Sequence, residues 1–152
     1  MIIIILQILI ALIYSYFLEY YTHKMLHKFN KKDQFLAFHM RDHHVRAKRQ
    51  QMIDNFSKRE MLSLISLTAI HIPLLYFAPA AFITLIYCAL QYLYVHSKSH
   101  SDIIWGYKNA PWHIDHHLGN QQANWGVRSD WVDRLMGTCD QSFSKKEIES
   151  IS

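Results

Sequence analysis

The chain is poor in the residues that build cofactor loops and covalent frameworks. It has only four glycines and no Gly-x-Gly-x-x-Gly run, so it encodes no glycine-rich turn to let a backbone approach a dinucleotide. Of its two cysteines, Cys88 lies in an apolar stretch and Cys139 in a polar one, and neither belongs to a Cys-x-x-Cys pair. Reduced thiols on a cytosolic face are expected, not a disulfide framework. Charge is absent over long stretches: residues 1–18 carry none, and residues 61–95 carry none. All sixteen Lys and Arg fall elsewhere, ten in residues 19–60 and six in residues 96–152. The net charge of +4 is thus spread over two mixed-sign segments. That pattern suits a membrane face, and no nucleic-acid partner is expected.

What is there instead is apolar sequence gathered in blocks. A spanning helix needs roughly 20 apolar residues, because a hydrocarbon core about 30 Å thick is crossed at about 1.5 Å per residue. Residues 1–18 come close to that length and lack the basic start of a signal peptide. Positive charge follows them, as in an uncleaved anchor with its N-terminus outside; a cleaved signal peptide is the alternative. Residues 61–95 are too long for one span and just enough for two short ones. Pro79 sits near the middle, where a turn is expected, and Pro73 is expected to kink the first arm. The fold class that follows is all-α: an integral membrane protein with one N-terminal span, a helical hairpin and a histidine-rich helical cap. One domain covers residues 1–152, with spans at about 1–18, 61–78 and 80–95, a cap of 19–60 and 96–138, and a tail of 139–152. Every Lys and Arg lies on the cap side, which positive-inside logic makes cytosolic.

Ten of the eleven histidines lie in those two cap segments, in four clusters: His23 and His27; His39, His43 and His44; His96 and His100; His113, His116 and His117. Histidines four apart on a helix stand on one face, so His23/His27, His39/His43, His96/His100 and His113/His117 are each expected to reach one metal. The additional ring of each adjacent pair points about 100° away, so such a pair can aim at two metals. Ten ligands over two metals leave an open position on each for oxygen or water. A single His-x-x-x-His is weak evidence, and four clusters on one membrane face are not. Haem ligation would need facing histidines at membrane depth, and only His71 is there. Imidazole suits iron, zinc, copper or nickel, and spacing alone does not choose among them. Zinc would imply hydrolysis rather than redox chemistry.

Residues 112–138, WHIDHHLGNQQANWGVRSDWVDRLMGT, together with the histidine clusters, resemble the fatty acid hydroxylase superfamily. That group includes sterol desaturases, methyl sterol oxidases and sphingolipid and carotenoid hydroxylases. Its last box typically reads His-x2-His-His, then Asn-aromatic-Gly, then Trp-Asp-Arg-Leu-aromatic-Gly-Thr. This chain has His113 to His117, Asn124-Trp125-Gly126, and Trp131 to Thr138 with Val132 inserted and Met136 in the aromatic position. Three residues separate His39 and His43 where two are commoner. The short chain looks most like carotenoid hydroxylases, and the C-terminal motif looks more like the sterol and fatty-acid branch.

The resemblance implies a non-haem di-iron centre of two Fe ions, with Zn as a possible substitute, held by the ten histidines. It implies O2-dependent hydroxylation or desaturation of a lipid drawn from the bilayer, with electrons from an external donor such as cytochrome b5 or a ferredoxin. The cap would face the cytosol, from the endoplasmic reticulum in a eukaryote or the inner membrane in a bacterium. Asp42, Asp102 and Asp115 are candidates to orient imidazoles, and Asn124 is expected to make a turn. Tyr87, Tyr92 and Tyr94 are candidate cavity or interface residues, and His71 a pocket or helix-pairing residue. The competing readings are a zinc-dependent membrane hydrolase on the same site and a non-catalytic metal-binding membrane protein.

Overall fold

The computed structural model describes residues 1–29, 31, 34–55 and 57–151. The described residues are helical or irregular, with no strand among them. The first helix, α1 (Ile2–Leu26), contains neither glycine nor proline and is apolar on all sides. Ile2, Ile3, Ile10 and Ile13 are each more than half exposed. A helix that is hydrophobic all round belongs in lipid or in a protein core, and α1 has no such core around it.

Four of the five buried residues of α1 form a stripe at four-residue spacing, Ala11, Ser15, Glu19 and His23, with Tyr20 beside it. The small members of the stripe let α1 pack closely against α5 (Pro79–Ser101), whose buried face carries Ala81, Thr84, Cys88, His96 and His100. The hydroxyls in this contact are satisfied within their own helices: Ser15 donates to Leu12 O and Thr84 to Ala80 O, both at 2.7 Å. The same helix faces that bind α1 to α5 therefore deliver histidines at one end of the pair. Only α1 and α5, among the described residues, are long and apolar enough to cross a membrane.

The hairpin's first arm departs from the continuous span expected at 61–78. A capping box opens α3 (Lys58–Ile70), with Ser57 accepting from Glu60 N and Glu60 accepting from Ser57 N. The helix stops at Ile70 because Pro73 brings no N–H and its ring crowds the preceding turn. Tighter bonds take over: His71 N to Thr68 O at 3.0 Å and Ile72 N to Ala69 O at 3.1 Å. The short α4 (Leu74–Phe77) completes the arm, and Ala78 turns the chain into Pro79, the first residue of α5. The 13-residue α3 rises only about 20 Å, too little to cross a bilayer alone.

The cap is built from short pieces around the histidines: a π-helical turn (His39–His44), α2 (Val45–Arg49), α6 (Ile103–Asn109), α7 (Pro111–Leu118), α8 (Trp131–Met136) and α9 (Ser142–Ile151). Tyr20, Trp125 and Val132 form its apolar core, edged by Tyr16, Phe17 and Trp131. Gly137 ends α8 in the left-handed conformation at φ 68°, which costs glycine nothing.

Candidate metal centre

All ten cap histidines are buried, none more than 7% exposed. Their ring nitrogens gather in two sets. In the first, His23, His27, His39, His44 and His116 have ligand atoms all within 4.8 Å of one another; in the second, His43, His96, His100 and His117 do. His113 lies beside the second set, its Nε2 3.1 Å from His100 Nε2.

Each adjacent pair divides between the sets, His44 and His116 to the first, His43 and His117 to the second. The second cluster does so by a route that α-helical spacing does not anticipate. Residues 39–44 form a π turn, whose i→i+5 bonding brings residues five apart onto one side. His39 therefore shares a set with His44, and the expected His39/His43 pairing on one metal is corrected. His23 with His27, and His96 with His100, do keep company at four-residue spacing on α-helices.

The chemistry of these atoms fits a pair of cations. Burial, and after it the neighbouring rings, pushes His39, His44, His113, His116 and His117 well below the usual imidazole range, towards the neutral form that can ligate a cation. His23 Nε2, His43 Nε2 and both ring nitrogens of His117 are buried with no hydrogen-bond partner, a costly state unless an ion occupies the lone pairs. In the first set, His27 Nε2 lies 3.0 Å from both His44 Nε2 and His116 Nε2, and His44 Nε2 lies 3.2 Å from His39 Nε2 and His116 Nε2. Two nitrogens about 2.1 Å from one ion are roughly 3.0 Å apart at a right angle and about 3.4 Å apart at a tetrahedral one. The observed edges run from the right-angle value to midway between the two.

The matched residues extend well beyond the histidines: the sequence matches the fatty acid hydroxylase family over residues 8–138. The chain belongs to the fatty acid hydroxylase family. No curated protein and no solved structure matches it.

In this member of the family the C-terminal motif acts through one turn. Asp133 accepts from Trp125 N and Gly126 N at 2.8 Å and from Thr138 Oγ1 at 2.8 Å. A Cβ on Gly126 would sit 2.2 Å from Ser129 O, so no side chain fits there. Asn124 takes φ 58° and bonds Asp140 through both ends of its amide, making the turn the sequence suggests. The turn presents two carbonyls to the centre: Trp125 O accepts from His23 Nδ1 at 2.7 Å, and Ala123 O from His116 Nδ1 at 2.6 Å. Glu19 braces it from α1, accepting from Val127 N, from Arg128 N at 2.9 Å and from Arg128 Nε at 2.6 Å.

None of the three acids expected to orient imidazoles does so. Asp42 pairs with Arg41 at 2.8 Å, and Asp102 caps α6 and pairs with Lys98 at 2.8 Å. Asp115 is buried, and it accepts from Phe143 N and Ser144 N at 2.9 Å, pinning the start of α9. The carboxylates that reach a ring are ones the sequence reading passed over. Asp54 Oδ2 accepts from His43 Nδ1 at 2.7 Å, and Glu60 Oε1 lies 3.3 Å from the same nitrogen. Burial pushes the Asp54 carboxyl up, but bonds from His43 and Arg46 outweigh it and hold the pKa down at about 2. The Ser57-x-x-Glu60 capping box was the only sequence signal near either acid.

A cavity of about 750 Å³ adjoins the centre, lined along α1, α3 and α5 and reaching His23 and His39. Tyr92 lines it and stacks on His96 with ring centroids 5.5 Å apart, whereas Tyr87 and Tyr94 face outward, 57% and 61% exposed. His71 lines the same cavity and pairs α3 with α1, its Nε2 2.9 Å from Tyr14 Oη.

Proposed function

We propose that this chain is a membrane-bound non-haem di-iron oxygenase that hydroxylates or desaturates a lipid, using O2 and an external electron donor. The observation that carries it is a largely apolar cavity among α1, α3 and α5 that reaches one of two buried sets of imidazole nitrogens through His23 and His39. The cavity lies within the usual range of ligand pockets, roughly 300–1,000 Å³. Its lining runs from Ser15 to Leu26 on α1, from Arg59 to Ile70 on α3 and from Phe82 to Tyr92 on α5. A lipid drawn from the bilayer would lie along those helices with one carbon near His23 and His39.

Within this reading the ten histidines hold the ions, His113 completing the second set. Bound iron would supply the redox chemistry with O2 that attacks an unactivated C–H bond. The chain's part is to position and to exclude water. Leu64, Leu67, Leu85 and Ile86 line the chamber, Trp125 packs on His23 and His27, and backbone carbonyls fix the tautomers of His23, His100 and His116. The cap and its basic residues would face the cytosol, where a donor such as cytochrome b5 or a ferredoxin would dock.

The five rings of the first set, one more than a tetrahedral ion takes, favour iron over zinc. Metal analysis of the purified protein, paired with lipid profiling of expressing cells with a donor supplied, tests the proposal. Two irons per chain and an O2-dependent change in host lipids are expected. Zinc without iron would make it a hydrolase, and an unaltered lipid profile from iron-loaded protein would make it a non-catalytic metal binder.

A further inference from the structure

Each set of rings is steadied by its own irregular loop, and the two loops differ in charge. Residues 120–127 serve the first set through two neutral carbonyls, Ala123 O and Trp125 O. Residues 50–55 serve the second through one carbonyl and one carboxylate: Met52 O accepts from His100 Nδ1 at 2.6 Å, and Asp54 from His43 Nδ1 at 2.7 Å. Glu60 adds a second carboxylate beside the same His43 nitrogen. Among the described residues, no carboxylate bonds a ring of the first set.

These acids are fixed in place. Asp54 also accepts from Arg46 Nε and Asn55 N, both at 2.8 Å, and Glu60 accepts from Ser57 N at 2.7 Å. The side chains of both are buried, 5% and 6% exposed. The loop that carries Asp54 holds Gln51 at φ 47° and Met52 at φ 78°. Non-glycine residues take that region only where the surroundings over-determine it. Met52, fully buried, is the anchor that allows it.

We infer that Asp54, supported by Glu60, makes the two metal positions unequal: the position formed by His43, His96, His100 and His117 binds its ion more tightly and favours the more highly charged ion. The inference rests on the two-metal reading above. A hydrogen bond to a carboxylate is about twice as strong as one to a neutral acceptor. It draws the Nδ1 proton away from the ring and makes the opposite nitrogen, His43 Nε2, a stronger donor to a cation. The first position has only peptide dipoles in that role. Asp54 and Glu60 are positioning residues, acting on the ion through His43.

The test is an anaerobic titration of the full-length metal-free protein, in lipid nanodiscs, with Fe(II) against a chromophoric chelator, followed by Mössbauer spectroscopy of the loaded protein. Two binding steps separated by roughly tenfold or more and two distinct iron environments are expected. Asp54→Asn should weaken the tighter step by about 10–100-fold and leave the other step within about twofold. Glu60→Gln, which keeps an acceptor for Ser57 N and so preserves the cap of α3, should move the same step by less. His116→Ala should weaken the other step and so assign it. Two equal steps in the parent protein, or an equal loss at both steps in Asp54→Asn and Glu60→Gln, would overturn the inference and leave the two-metal reading standing. Failure to bind iron at all would overturn both.

Discussion

His23 Nδ1 lies 2.7 Å from the carbonyl of Trp125, 102 residues further along the chain. Through that contact the end of α1 and the C-terminal motif meet at one imidazole, and Asp133 stands behind it, holding Trp125 N and Gly126 N. Asp133 touches no histidine, so its influence on the centre is exerted through the turn.

Replacing Asp133 by alanine leaves those two buried N–H groups without acceptors. A loss of about 2–3 kcal/mol in stability is expected, together with reduced iron content in the first set. Unfolding in detergent and metal analysis check it. A stable variant that retains both irons would show that the turn does not depend on Asp133.

The Glu19–Arg128 pair is buried on both sides, with side chains 5% and 4% exposed. Breaking a buried pair from one side costs about 3–5 kcal/mol. Glu19→Gln is therefore expected to destabilise the protein strongly. Replacing both residues together with apolar side chains should cost less than the single change, and a double-mutant cycle reads the difference directly.

The metal-free cap should lose stability in acid, and the sign follows from where the protons go. His39, His44, His113, His116 and His117 have folded-state pKa values well below the usual 6.5. Unfolding returns them to about 6.5, so below that pH the unfolded chain binds more protons and is favoured. Apparent melting temperature should be nearly level above about pH 7.5 and fall steeply between about pH 7 and pH 5. A level profile across that window would contradict the burial of neutral rings.

Removing the metals should loosen the cap, because structural metal binding supplies on the order of 10 kcal/mol. Chelation is expected to expose residues 34–55 and 103–138 to protease while α1 and α5 stay intact in lipid. Unchanged protease resistance of the cap after chelation would count against this.

Filling the cavity separates substrate access from metal binding. Ala89 lines the chamber on α5, and Ala89→Trp should leave iron content unchanged while cutting lipid conversion by roughly tenfold or more through misplacement of the chain. Full conversion by this variant would move the substrate elsewhere.

The histidines were legible because residue type, spacing and distance from an apolar block are all local properties of sequence. So were the two long helices, whereas Pro73 announced a kink and not that α3 would end at Ile70. The partition of His39, His43 and His44 was not, because a π turn and an α-helix share the same residues here and packing against the other rings selects between them. Asp54 was hidden for a related reason. It sits in a loop whose left-handed residues, Gln51 and Met52, carry no glycine to announce them. Asp115 misled in the opposite direction: it stands inside a histidine cluster, yet its carboxylate turns away to meet Phe143 N and Ser144 N.

The division of the rings has a consequence for how the chain is assembled. The first set takes four histidines from before the hairpin and only His116 from after it; the second takes His43 from before and the rest from after. Each half of the molecule thus lends one ring to the other's set, a reciprocal clasp. During synthesis neither position can close until the final third of the chain has emerged. A protein nicked at the Ala78 turn should therefore stay associated through the exchanged rings as well as through the Glu19–Arg128 pair and the packing of α1 on α5.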